Sequence, residues 1–376
     1  MKKRIMSLIS ESLHWSAEKQ TNLSQVVVAA LGLAVPIAVG ALFGQAQIGS
    51  VAALGGLALS NQGSSAKFSE NLTGLGYAIV MGSLAFILGS SLSGNGILSL
   101  ILVPLIVLIA GVTGGISRSL IRTTTLFILF FIIATRFGGK EAHPFSIAFF
   151  FALGAIWTSL LSLVVQPIFQ KFIVNEKLQV ANQQPSSPKY SAKQLLNHWK
   201  KSLQRFAGWQ YAVRITCCII VAELIKIIWP FPRGYWILLT VAIVVQRDMN
   251  KLLPRMFQRG AGTFIGVILS SLFIYFVPAP WLLVLIIGAL AAARIFLRET
   301  NYLAYAAVMT PLVIILLDFG KVPSWETILD RLLSTILGCV ISLIFGYYMW
   351  IKLMNSAKSC GGIANSPSWI KPWPHR

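Results

Sequence analysis

Charged side chains are scarce in this sequence, 11% of residues, so those inside apolar stretches stand out. Glu223 and Lys226 lie at i and i+3 within the apolar run 211–229, and a helix sets them on one face. A charge in hydrocarbon is costly unless paired or hydrated, so it faces the interior of a helix bundle. On a functional reading Glu223 carries a proton and Lys226 anchors an anionic group. On a plain reading they neutralise each other near the outer interface, with Lys226 reaching toward water. Arg214 stands near the inner edge of the same run and suits a lipid phosphate, a substrate carboxylate or ordinary placement of positive charge. Asp318 ends the run 302–318, where Lys321 is its expected partner and a proton role the lesser alternative.

Other chemistry is hard to find. There is no Walker motif, no GxGxxG after a strand, no HExxH and no nucleophile elbow. His14, His143, His198 and His375 are scattered over loops and tails. Cys217, Cys218 and Cys339 sit in apolar runs and Cys360 in the tail, without metal-like spacing. The expectation is no enzyme, no cofactor and no metal. Without a nucleotide site, active transport would draw on an ion gradient or another subunit.

The elements that hold these residues are membrane helices. The chain has 376 residues, 56% of them hydrophobic and only 11% charged, against roughly 25% charged in ordinary soluble domains. Apolar residues come in unbroken runs such as 98–112, 145–165 and 281–293, not in a one-sided stripe. Twelve spans are expected: 24–43, 46–60, 72–91, 97–115, 119–134 and 145–166, then 211–229, 234–247, 259–277, 280–297, 302–318 and 331–351. The segment 1–23 is basic and polar, and the first span is expected to be retained rather than cleaved as a signal peptide. A basic linker, 167–210, carries an amphipathic helix around 192–205, and a tail follows at 352–376.

The net charge of +20 raises the question of nucleic acid, but the basic residues lie between hydrophobic runs and not on one soluble face. With both termini in the cytoplasm, about 25 of the 31 Lys and Arg fall on the inner side, among them Arg247, Arg255, Arg259 and Arg294. The outer loops then hold Arg136, Lys140, Arg233, Lys321 and Arg331. This excess also attracts anionic membrane lipids. Tyr235 and Trp236, with Trp229 and Trp281, cluster near the outer interface, where an aromatic belt accounts for them and stacking on an aromatic substrate is the alternative.

An internal repeat organises the spans. Gly49 and Gly234 open short apolar runs, and each run leads through a polar loop to a Gly-rich span with Gly74, Gly76 and Gly82 or Gly260, Gly262 and Gly266. An even number of spans per unit makes the two six-helix repeats parallel, related by an axis along the membrane normal. The second span of each unit is short, about 20 Å against a core of about 30 Å. Short spans flanked by Gly or Pro at matching positions point to a transport site, or to a tilted packing helix. The GxxxG pairs Gly40/Gly44, Gly111/Gly115 and Gly262/Gly266 suit packing within the chain, with a homo-oligomer face as the alternative.

The second half, about 206–351, resembles the fusaric acid resistance-like family, which includes aromatic acid exporters. The resemblance runs through Arg214, Gly234-Tyr235-Trp236-Ile237-Leu238-Leu239-Thr240, Val244-Val245-Gln246, Arg255 and Arg259, and Gly262-Thr263-Phe264-Ile265-Gly266. It continues through Asn301-Tyr302, Met309-Thr310-Pro311-Leu312-Val313 and Asp330-Arg331. In the first half only Pro36, Gly49, Ala52-Ala53-Leu54-Gly55 and the Gly-rich third span fit. The resemblance implies export of small, often aromatic, carboxylic acids or drug-like compounds. It implies proton coupling in some members and a periplasmic adaptor in some. Plant anion channels of related architecture imply that channel activity suits such a scaffold.

The expected function is an inner-membrane efflux permease for small organic anions, coupled to an ion gradient. Its candidate substrate- or ion-binding residues are Arg214, Glu223, Lys226, Tyr235, Trp236, Thr240 and Gln246, near the short spans. An uncoupled anion channel and a non-transporting membrane scaffold are the alternatives.

Overall fold

The computed structural model describes residues 22–60, 68–94, 96–138, 143–173, 206–229, 233–276, 279–319 and 325–353, with the single positions 197, 199 and 203. Most of the expected amphipathic helix at 192–205, the segment before residue 22 and the tail after residue 353 lie outside them. The described chain is all α, with twelve α-helices and no strand among the described residues. They are α1 Leu23–Leu42, α2 Ala46–Leu59, α3 Phe68–Ser91, α4 Gly96–Thr113, α5 Arg118–Ala134 and α6 Pro144–Ile173. Then come α7 Phe206–Ile228, α8 Tyr235–Val244, α9 Leu252–Phe276, α10 Pro280–Thr300, α11 Tyr302–Leu317 and α12 Trp325–Leu343. A π-helical segment, Ile344–Tyr348, continues α12 toward residue 353.

Six helical stretches are long and apolar enough to cross a membrane by length and composition: Leu23–Leu42, Gly74–Ser91, Gly96–Thr113, Pro144–Phe169, Trp281–Arg298 and Trp325–Leu353. Ala46–Leu59, Leu120–Ala134, Tyr235–Val244 and Tyr302–Leu317 are apolar but shorter. Large apolar side chains such as Leu98, Ile101, Phe149, Leu160, Phe264 and Leu285 point outward, as lipid-facing residues do. The protein is a multi-pass membrane protein.

The helices pair in a regular way. Every helix pair in substantial contact has a counterpart six helices along the chain. Thus α1·α2 answers to α7·α8, α2·α6 to α8·α12, α3·α5 to α9·α11 and α3·α6 to α9·α12. The pairs that join the first six helices to the last six also match: α1·α10 answers to α4·α7, and α2·α11 to α5·α8. The short helices α2 and α8 therefore sit where the two halves meet.

Small residues set these contacts, because lipid offers apolar helices no hydrophobic drive to associate and close packing must supply the attraction. A Cβ on Gly40 would run into the backbone of Gly49, fixing the α1–α2 hairpin. The turn between them needs Gly44, whose φ is +69°. Gly262 and Gly266 pack on Leu303, Ala306, Ala307 and Thr310 of α11, and Gly111 packs on Ala212 of α7. Gly40, Gly111, Gly262 and Gly266 of the GxxxG pairs thus pack within the chain.

Several helices begin earlier than expected, and at α9 and α12 the difference matters for the site. α9 starts at Leu252 and not near 259, and α12 starts at Trp325 and not near 331. Arg255 and Arg259 are therefore helical residues, not a free loop, and Arg331 is buried inside α12 rather than in an outer loop. Hydropathy ends a span at its first charges, whereas a helix continues wherever those charges find contacts. Arg255 covers the Tyr302 ring at 3.6 Å, and Glu326 lies in the first turn of α12, where a negative charge suits the helix dipole.

Candidate functional site

The short helix α8 is the centre of the candidate site. Its ten residues reach about 15 Å, half of a bilayer core. It ends because Val245 turns to an extended conformation, which frees the Gln246 carbonyl from helical bonding. Arg214 of α7 donates to that carbonyl through Nη2, while Gln246 Nε2 donates back to Ile243 O at 2.7 Å. Arg214 and Gln246 are thus brought together to finish a broken helix. Arg214 is fully buried, and its Nε and Nη1 have no hydrogen-bond partner.

Glu223 and Lys226 also meet. Lys226 Nζ lies 2.6 Å from Glu223 Oε2, with the carboxylate buried and the lysine side chain 25% exposed. The contact is an ion pair by distance, although neither carboxylate oxygen has a partner in hydrogen-bond geometry. The lysine stem runs along Gly234, where a Cβ would meet Lys226 Cγ and Cδ. This favours the self-neutralising reading of the pair, and it shows why a glycine opens the short run.

Tyr235, Trp236 and Thr240 stand on α8 itself. Tyr235 and Trp236 are buried, unlike the exposed Trp229 and Trp281, so the belt reading fits only the latter two. The Tyr235 hydroxyl accepts from Arg136 Nη1 at 3.3 Å, and the Arg331 guanidinium lies 4.2 Å from the Trp236 ring centre. Thr240 donates to Trp236 O at 2.9 Å, and its side chain packs on Gly338 of α12. Six of the seven candidates thus form two groups, with Thr240 between them on α8. Arg214 and Gln246 finish the far end of α8, while Tyr235 and Trp236 stand at its start, with the Glu223–Lys226 pair beside Gly234.

A network at the Tyr235 end was not expected. Arg136 Nη2 donates to Asp318 Oδ1 at 2.6 Å and to Leu317 O at 3.2 Å. Arg233 lies 3.5 Å from Asp318 Oδ2 and 3.6 Å from Asp330 Oδ2. The partners of Asp318 are therefore Arg136, from the other half, and Arg233; Lys321 lies outside the described residues. The signal in the sequence was a lone carboxylate closing an apolar helix, but nothing in it names a partner in another loop.

At the opposite end arginines again join the halves. Arg247 Nη2 donates to Gly111 O in the last turn of α4 at 2.9 Å, and its guanidinium covers Tyr211 at 4.3 Å. Burial lowers the pKa of Arg247, with the Tyr211 hydroxyl acting in the other direction. Arg294 of α10 bonds Ser60, the C-cap of α2. The sequence puts both arginines on the inner side, at or near the ends of the spans 234–247 and 280–297, and in the structure both are ties between the halves. No group of three or more metal-ligating side chains occurs among the described residues.

The comparisons with known proteins bear on the half that carries α8. Residues 216–345 match a family model described as fusaric acid resistance protein-like, which shows the resemblance read from that half. An uncharacterised protein of Haemophilus influenzae is 30% identical over 141 residues, 38% of this chain and 20% of that protein. Inner membrane protein YccS of Escherichia coli is 30% identical over 147 residues, 38% of this chain and 20% of its own length. An uncharacterised membrane protein of Bacillus subtilis, YvaC, is 27% identical over 142 residues, 37% of this chain and 22% of that one. The chain thus spans about a fifth of the length of these curated relatives. No solved structure matches.

Proposed function

We propose that this membrane protein is an efflux transporter for small organic anions, aromatic carboxylates and drug-like acids among them, working in the inner membrane with both termini in the cytoplasm. The observation that carries the reading is α8: a broken helix at the junction of the halves, bearing Tyr235 and Trp236, with Arg136, Arg214 and Arg331 around it. Broken helices at the junction of repeats are where transporters place their substrates. The matched pairing of α1–α6 with α7–α12 supports two parallel six-helix repeats that rock about this junction. A periplasmic adaptor and self-association belong to the same proposal, and the chain itself performs no bond chemistry in it.

The test is efflux of benzoate from vesicles holding the full chain, with and without an imposed pH gradient. Gradient-driven flux supports the reading, and no flux above empty vesicles removes it. In the coupled form Glu223 takes up the proton, so Glu223→Gln abolishes the response to the gradient. One observation favours a second reading. Lys226 already neutralises Glu223, which suits an uncoupled anion channel. Planar-bilayer recording separates the two, since sustained conductance far above carrier turnover belongs to a channel.

A further inference from the structure

Four buried arginines stand outside the ion pairs described above; Arg214 and Arg294 hold Gln246 and Ser60, which leaves Arg331 and Arg259. Arg331 on α12 is 1% exposed and Arg259 on α9 is 4% exposed. Among the described residues no carboxylate pairs with either. Arg331 Nε and Nη1 and Arg259 Nε are buried without a hydrogen-bond partner. α9 lies against α12 beside Arg259, where Met256 O, one turn before the arginine, is 3.9 Å from Cys339 Sγ. Thr263 lies one turn beyond Arg259 on the same face of α9, and Ser334 one turn beyond Arg331 on α12. Both hydroxyl oxygens are also buried and unpartnered. The helices α8, α9 and α12 touch one another pairwise, and Trp236 of α8 backs the Arg331 guanidinium.

A buried cation without a partner is strongly unfavourable, and two on touching helices are worse. Arginine does not escape by losing its proton. Guanidinium N–H groups can only donate, and the two hydroxyls, which can donate or accept, carry no charge, so the cluster holds no anionic acceptor. A carboxylate supplies two oxygens and pairs with arginine in a two-pronged fit.

We propose that Arg259 and Arg331, with Thr263 and Ser334, form an anion subsite between α8, α9 and α12 that takes the carboxylate of an organic acid. The choice of a carboxylate over an inorganic anion rests on the organic-anion reading above; the cationic site does not.

The probe is benzoate, titrated into the purified full chain in detergent and followed by thermal unfolding. Benzamide and chloride serve as separate arms at matched ionic strength. Benzoate gives a saturable rise in Tm, and benzamide gives none. Arg331→Gln and Arg259→Gln each weaken the apparent Kd about tenfold or more, and Arg331→Lys recovers part of the loss. Without ligand, Arg331→Met unfolds at a higher temperature than the wild type, because an unpaired buried charge is gone. Equal benzoate affinity in the wild type and both Gln variants overturns the site. So does an Arg331→Met chain that unfolds earlier. A response to chloride with none to benzoate overturns the carboxylate assignment. Vesicle flux keeps the two readings apart. Arginine-dependent binding without flux leaves the site and removes transport. Flux that both Gln variants leave unchanged removes the site and leaves transport.

Discussion

The contact of α2 with α6 and that of α8 with α12 are built alike and filled differently. In the first half a Cβ on Gly154 would strike the Ala52 backbone, and one on Gly55 the Phe151 backbone. In the second half a Cβ on Gly338 would lie 3.0 Å from Ile237 O and 2.7 Å from Thr240 Cβ. About two turns before Gly154 stands Ile147, whereas about two turns before Gly338 stands Arg331. Around the first contact Phe86 stacks on Phe151 at 4.4 Å, with Phe130 at 5.5 Å from Phe151. Around the second lie Trp236, Arg331, Arg259 and Thr263. One scaffold has thus been packed dry on one side and furnished with cations on the other. On the proposed function, the difference assigns recognition to the second half and packing to the first.

The comparison can be broken most severely at its glycines. Gly154→Ala forces backbone against backbone and should destabilise by about 3 kcal/mol, whereas Gly338→Ala meets mainly the Thr240 side chain and should cost about 1 kcal/mol. Thermal unfolding of the purified protein reads both, and equal losses would mean the two contacts are not differently filled. Next comes the ion pair of α7. Lys226→Met leaves the buried Glu223 uncompensated and should lower stability by about 2 kcal/mol, while Glu223→Gln, which leaves a lysine able to reach water, should stay within about 1 kcal/mol. The reverse order would show that the pair is not held by burial of its acid. Asp318→Asn tests the tie between halves at the Tyr235 end. Arg136 and Arg233 are partly exposed, so the loss should be about 1–2 kcal/mol, seen as a lower Tm that shrinks in high salt. The last tie to break is that of Arg247: Arg247→Gln gives up the Gly111 carbonyl and the Tyr211 ring for about 1 kcal/mol, read as a lower Tm.

Much of the scaffold was legible because apolar runs announce helices, and the helix bounds lie close to those runs at α1, α2, α5, α10 and α11. The glycine spacing near Gly49 and Gly234 pointed to the matched short helices for the same reason. What escaped was the fate of charges beside apolar runs. Arg259 and Arg331 looked like loop residues, since hydropathy cannot distinguish a charge that ends a helix from one that the helix carries inward. Tyr235 and Trp236 looked like an interfacial belt, because an aromatic pair at a helix start is placed by its neighbours and not by its type. The partner of Asp318 was illegible for a different reason: Arg136 is 182 positions away, and only the assembled fold brings them together. The Glu223–Lys226 pair was readable in full, because local spacing alone decides it.

The π-helical turn at Ile344–Tyr348 has a consequence for the phase of α12. Gly338 faces Thr240 and Ile237 of α8, and Gly346 faces Cys218 of α7 and Val245 just beyond α8. In an unbroken α-helix positions 338 and 346 would be about 80° out of line, at about 100° per residue. A π turn takes up one residue more than an α turn, which brings them to within about 20°. The helix thus keeps a single seam of small residues against its neighbours along its length. It does so by absorbing a residue locally, and deleting one residue in that turn would restore α geometry while leaving the seam in register.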